Sequence, residues 1–137
     1  MKNLALALAT TLLLAACSSG STVAPLEVTL NGVYTGSFEN TDDTQGGTAV
    51  FNLSQLTSGD EITGNALFDT NTINTCLLNA TITDGSNSSA SATLTVGATN
   101  FQLAISNDGN TLSGTYVTTE SETCSNGSGA GTITLNR

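Results

Sequence analysis

From Leu26 onward, apolar side chains recur at every second position, and Ser, Thr and Asn fill the positions between them. A period of two puts one set of side chains on each face of an extended strand, whereas a helix needs a period of 3.6. Turn residues interrupt the alternation at intervals of roughly 10 to 15 positions, as strands joined by short connections require. The segments so bounded are 28–39, 47–56, 61–69, 76–84, 89–97, 99–107, 111–119 and 130–136. The chain is therefore predicted to be all-β with eight strands.

The phase of the alternation predicts which side chains turn inward. On the apolar parity lie Leu30, Tyr34 and Phe38; Ala49, Phe51 and Leu53; Ile62, Ala66 and Phe68; and Leu78, Ala80 and Ile82. Ala90, Ala92, Leu94 and Val96, then Phe101, Leu103 and Ile105, Leu112 and Tyr116, and Ile133 and Leu135 complete it. Thr35, Ser37, Asn52, Thr63, Asn79, Thr81, Thr93, Thr95, Thr115, Thr132 and Thr134 take the opposite face. A polar outside belongs to a barrel or sandwich in water. A membrane-spanning barrel turns its apolar face outward between aromatic girdles, and this chain has no Trp and 2 Tyr.

The connections predict the topology. "SGDE" (58–61), "DGSNS" (84–88) and "NDGN" (107–110) read as hairpin turns, in which Gly and Asn supply positive φ. Local hairpins throughout give an antiparallel up-and-down meander, and eight such strands can close so that no edge is exposed. The turns 2–3, 4–5 and 6–7 then share the end at which strand 1 begins. The longer loops "NTDDTQG" (40–46) and "TESETCSNGSGAG" (119–131) share the other.

Ahead of the alternating part, Met1 and Lys2 precede an uncharged run from Leu4 to Ala16, which stops at Cys17. A basic start, a short apolar core and small residues before a cut site make a secretory signal peptide. The run is too short to cross a bilayer as a helix, which takes about 20 apolar residues. Leu14-Ala15-Ala16-Cys17 resembles the lipobox of bacterial lipoproteins. The resemblance implies that the Cys17 thiol receives diacylglycerol, that cleavage precedes it, and that acyl chains on Cys17 hold the protein to a membrane. Ser18 and Ser19 follow, with no Asp, which resembles the pattern of lipoproteins sent to the outer membrane. The organisation expected is a signal peptide over 1–16, a lipidated cysteine and flexible tether over 17–27, and one barrel domain over 28–137.

Composition removes most chemistry. The chain has 2 Lys and Arg, 11 Asp and Glu and no His, for a net charge of -9. Once Lys2 leaves with the signal peptide, Arg137 is the one cationic side chain. Catalysis by Ser-His-Asp, Cys-His or Ser-Lys, Schiff-base chemistry and His-ligated zinc are excluded. So is nucleic-acid binding, which starts from Lys and Arg on phosphates. No cofactor and no resident metal are expected. With Cys17 acylated, Cys76 and Cys124 remain in an oxidising compartment, where a disulfide is expected. The loop closed, of about 48 residues, corresponds to roughly 4 kcal/mol. The alternative is two free thiols, although no basic neighbour is present to activate them.

Carboxylates are the one chemistry left. Glu39, Asp42, Asp43, Asp69, Glu120 and Glu122 gather at the loop end, where they form either a solvated acidic rim or oxygen ligands for a cation such as Ca²⁺. No EF-hand-type loop orders them. A pair acting on a glycosidic bond is a further alternative, but no aromatic platform accompanies it. "GSGAG" (127–131) precedes a strand rather than a helix, so it reads as a loop and not a phosphate cradle. Thr-x-Thr pairs at 81/83, 93/95 and 132/134 resemble the surface rows of some ice-binding proteins, yet Thr is also a favoured outward strand residue.

"LSGTYV" (112–117) and "LNGVYTGSF" (30–38) are similar to strands of avidin-like and lipocalin-like barrels. That likeness implies a barrel and, lacking tryptophans, no biotin site. The mature part also resembles small envelope lipoproteins of bacteria. The expectation is a non-enzymatic, lipid-anchored envelope module presenting a disulfide-tied acidic loop end, with Asp42, Asp43, Glu120 and Glu122 as contact residues. The alternative is a binding protein for a small apolar or lipid-like guest inside the barrel, with Tyr34 and Tyr116 as polar handles. Against that alternative stands a core plugged by its own large side chains.

Overall fold

A computed structural model describes residues 27–41, 46–70, 77–119 and 129–137. Eight antiparallel strands form a closed barrel in sequence order: β1 (Gly32–Asn40), β2 (Gly46–Ser54), β3 (Thr63–Thr70), β4 (Ala80–Ser88), β5 (Ser91–Val96), β6 (Thr99–Ile105), β7 (Thr111–Thr118) and β8 (Ala130–Asn136). The predicted meander is the observed one, and the ring closes through β1 and β8, paired from Thr35 with Asn136 to Asn40 with Gly131.

Alternation drives the closure. Along β6 the burial pattern is strictly in-out, with Thr99, Phe101, Leu103 and Ile105 inside. The inward set expected from the sequence is buried almost throughout. At Gly114 a side chain would not fit: a Cβ there would lie 1.9 Å from the carbonyl oxygen of Gln102 across the β6–β7 ladder.

The interior is filled. Phe51 on β2 and Phe101 on β6, on opposite walls, bring their ring centroids to 5.3 Å at an interplanar angle of 87°. Phe68 stacks on Phe101 at 6.1 Å and meets Phe38 and Phe51 edge-on. Tyr116 packs against Phe38 and Phe101. Edge-to-face and offset contacts of this kind are the favoured aromatic geometries. At this level the described side chains of opposite walls pack against one another as a core.

The structure departs from the sequence reading in three places. The expected first strand, 28–39, begins instead at Gly32, and residues 27–31 run as a strap with Val28 and Leu30 buried. The expected turn "DGSNS" lies within β4, and the two-residue turn is Ser89-Ala90, leaving Ala90 exposed. The cause is a bulge: Ile82 pairs with Val96 but Asp84 with Thr95, so Thr83 is one residue too many. A bulge resets the phase of the strand, and Gly85 is buried where simple alternation from Ile82 would expose it. The third departure is a slip of one residue before β4: Leu77 is buried and Leu78 is 54% exposed.

β3 and β4 share two paired residues, Asn65 with Thr81 and Ala66 with Ala80, whereas β1 and β2 share eight. Single bonds supplement the short ladder. Ile62 donates its backbone N–H to Gly85 at 2.8 Å, and the Asn79 side chain accepts from Phe68 N at 2.6 Å.

Candidate functional site

The barrel has two unlike ends. The near end carries the strap and the turns at 55–62, 89–90 and 106–110. The far end carries the connections β1–β2, β3–β4, β5–β6 and β7–β8, as the meander requires.

At the near end, backbone polar groups of the strap would be left without partners as the chain crosses the barrel mouth, and two side-chain amides supply them. Gln55 Oε1 accepts from Leu30 N at 2.9 Å. Its Nε2 donates to Asp60 O at 2.8 Å and to Asn87 Oδ1 at 2.7 Å. Asn87 Nδ2 donates to Val28 O at 2.7 Å, while its Oδ1 also accepts from Gly59 N at 3.2 Å. Gln55 is 2% exposed, and all of its polar atoms are used, as burial of an amide demands. Arg137 Nη1 donates to Asn31 O at 2.9 Å. Sequence reasoning missed this clasp, although Gln55 was visible as a polar residue on the inward parity of Phe51 and Leu53.

Tyr34 and Tyr116 reach toward opposite ends. The Tyr34 hydroxyl donates to Gly109 O at 2.8 Å in the near-end turn. Burial pushes its pKa up from 10.0, and the Arg137 guanidinium partly offsets that rise. Gly109 holds φ of 69°, and a Cβ there would come within 2.6 Å of Val28 Cγ1, so turn and strap meet only through glycine. The Tyr116 hydroxyl donates to Asn40 Oδ1 at the end of β1. Both proposed handles for a guest therefore bond to the protein itself.

The far end is organised around this second tyrosine. Thr41 N donates to Ala130 O at 2.8 Å and Thr118 N to Gly129 O at 2.7 Å, tying β1, β7 and β8 at their tips. Thr99 and Thr118, both buried, share a 2.9 Å hydroxyl contact. Of the expected rim carboxylates, Glu39 and Asp69 are exposed at the ends of β1 and β3. Asp42, Asp43, Glu120 and Glu122 lie outside the described residues, as do Cys17, Cys76 and Cys124. The connection bearing Cys76 leaves and re-enters the barrel at the far end, and so does the connection bearing Cys124.

No group of three or more metal-ligating side chains occurs among the described residues. An open depression of about 400 Å³ beside the β2–β3 turn is lined by Ser54, Leu56, Asp60, Glu61 and Thr63. Its Asp60 carboxylate is committed to its own turn, accepting from Thr57 Oγ1 at 2.6 Å and Thr57 N at 3.1 Å. Asp108 is held likewise: hydrogen bonds from Ser106 first, then from Asn110, draw its pKa from 3.8 to about 2.

The outer wall is hydroxyl-rich, and β5 to β8 contain no charged residue. Its hydroxyls pair across strands, Ser86 with Thr93 at 3.0 Å and Ser88 with Ser91 at 2.9 Å. Thr93, Thr95, Thr132 and Thr134 stand on this wall, which curves around a closed barrel rather than lying flat.

The molecule thus belongs to the class of closed, eight-stranded meander barrels with a self-filled core. Among known proteins, no family model, no curated protein and no solved structure matches the chain.

Proposed function

We propose that the chain is a lipid-anchored protein of the cell envelope, a non-enzymatic interaction module whose barrel displays its far end away from the membrane. The observation that carries this reading is Leu14-Ala15-Ala16-Cys17 at the end of an uncharged run that follows Met1 and Lys2. Two or three acyl chains on Cys17 make a lasting anchor, since each buried CH₂ contributes about 0.8 kcal/mol. The outer membrane is the proposed destination, given Ser18 and Ser19. The tether runs into the strap at the near end, among three compact turns. Contact residues commonly sit on longer loops held by a rigid scaffold, and the far end has those loops. Asp42, Asp43, Glu120 and Glu122 supply the contact there, to a protein or a cation, and a Cys76–Cys124 disulfide ties the loops together.

The experiment is expression of Cys17→Ser beside the parent chain with labelled palmitate. The parent takes up label and partitions with membranes, and the variant does neither. Label on the variant, or a parent chain that is soluble and unlabelled, removes the anchor.

A further inference from the structure

The strap of residues 27–31 is a buried segment outside the ladder. It makes no strand pairing, yet it puts Val28 and Leu30 (8% and 0% exposed) across the near mouth. Among the described residues, its backbone is hydrogen-bonded by side chains: Gln55 on Leu30 N, Asn87 on Val28 O and Arg137 on Asn31 O. The ladder resumes only at Gly32, where φ is 120° and the chain turns out of the strap into β1. The barrel wall does not need the strap in order to close, because β1 pairs with β2 from Gly32, opposite Leu53, and with β8 from Thr35, opposite Asn136.

We propose that the strap is a hinged closure of the near mouth, which opens as a unit about Gly32 while the eight-stranded ring stays intact. Elements secured by few bonds and bordering intact structure open locally, at a lower free energy than global unfolding. Opening separates Val28 from Gly109 and releases the two amides, while Tyr34 keeps its bond to Gly109. The geometry stands without any lipid anchor. If Cys17 is anchored as proposed above, the strap is the first structured element that tension on the tether would load.

Native-state hydrogen exchange of the mature chain in rising, sub-denaturing urea tests the hinge, read at the amide of Leu30 against those of Leu53 and Leu103. The hinge predicts that Leu30 exchanges at least roughly tenfold faster and with little dependence on urea, as local opening does. Leu53 and Leu103 exchange slowly and accelerate with urea. In Asn87→Asp, which removes the donor to Val28 O, Leu30 loses at least a further roughly tenfold of protection while far-end amides stay protected. A Leu30 amide with the same rate and urea dependence as Leu103 overturns the proposal, whether or not the variant folds.

Discussion

The two ends of the barrel are closed by different chemistry. At the far end five aromatic rings fill the lumen, the Tyr116 hydroxyl reaches the strand tip at Asn40, and Thr99 and Thr118 share a buried hydroxyl contact. At the near end an aliphatic strap lies over the mouth, and two side-chain amides from β4 and the β2–β3 turn hold its backbone. Apolar contact at the far end depends on shape and buried area. The near end depends on a few polar atoms that must all be satisfied. The two ends therefore tolerate change differently: truncating a ring removes stability from the whole barrel, whereas breaking the clasp acts first on one segment.

Phe101→Ala is expected to have the largest effect. Its ring touches Phe51, Phe68 and Tyr116, and deleting a buried phenyl costs about 3–5 kcal/mol. Urea denaturation should show that loss with the slope unchanged. Gln55→Leu comes next, at about 2 kcal/mol, because Leu30 N, Asp60 O and Asn87 lose a buried partner. It should also raise proteolysis at the strap, which Phe101→Ala should not do selectively. Equal and unselective proteolysis in both variants would erase the distinction between the ends. Tyr116→Phe, with its ring packing intact, should cost about 1 kcal/mol through the lost bond to Asn40.

Proton titration sharpens the near-end picture. Because burial raises the Tyr34 pKa, the stability it contributes is fully present below pH 10 and declines as the pH climbs above that. An ultraviolet titration should find Tyr34 ionising late, and Tyr34→Phe should remove its contribution. Asp108 gives the smallest effect, since it is fully exposed. Its stabilisation is in place above pH 3.8 and lost as pH falls through about 2. A carbon-detected NMR titration should place its midpoint well below those of ordinary carboxylates.

Alternation made the ring legible in the sequence. Period two marked eight strands, and short turns joined them in order, because burial of one face and local connection are both written in sequence spacing. What escaped the reading were events that break the period. Thr83 inserts one residue into β4, so a run rich in Asp, Gly and Asn looked like a turn and is strand. Val28 and Leu30 kept the right parity but pair with side chains rather than a neighbouring strand. The clasp depends on Gln55 meeting Asn87, which are 32 positions apart, and no local pattern encodes that meeting. Tyr34 and Tyr116 were found as inward residues, but the partners of their hydroxyls depend on where each strand ends.

With the anchor proposed for Cys17, the near end would face the membrane and the far end would face away. A fluorescent amino acid placed at Ser58 in the near-end turn, or at Ala98 in the far-end turn, reports this in protein anchored to vesicles that carry a headgroup quencher. The account predicts strong quenching at Ser58 and little at Ala98. Stronger quenching at Ala98 than at Ser58 would contradict it.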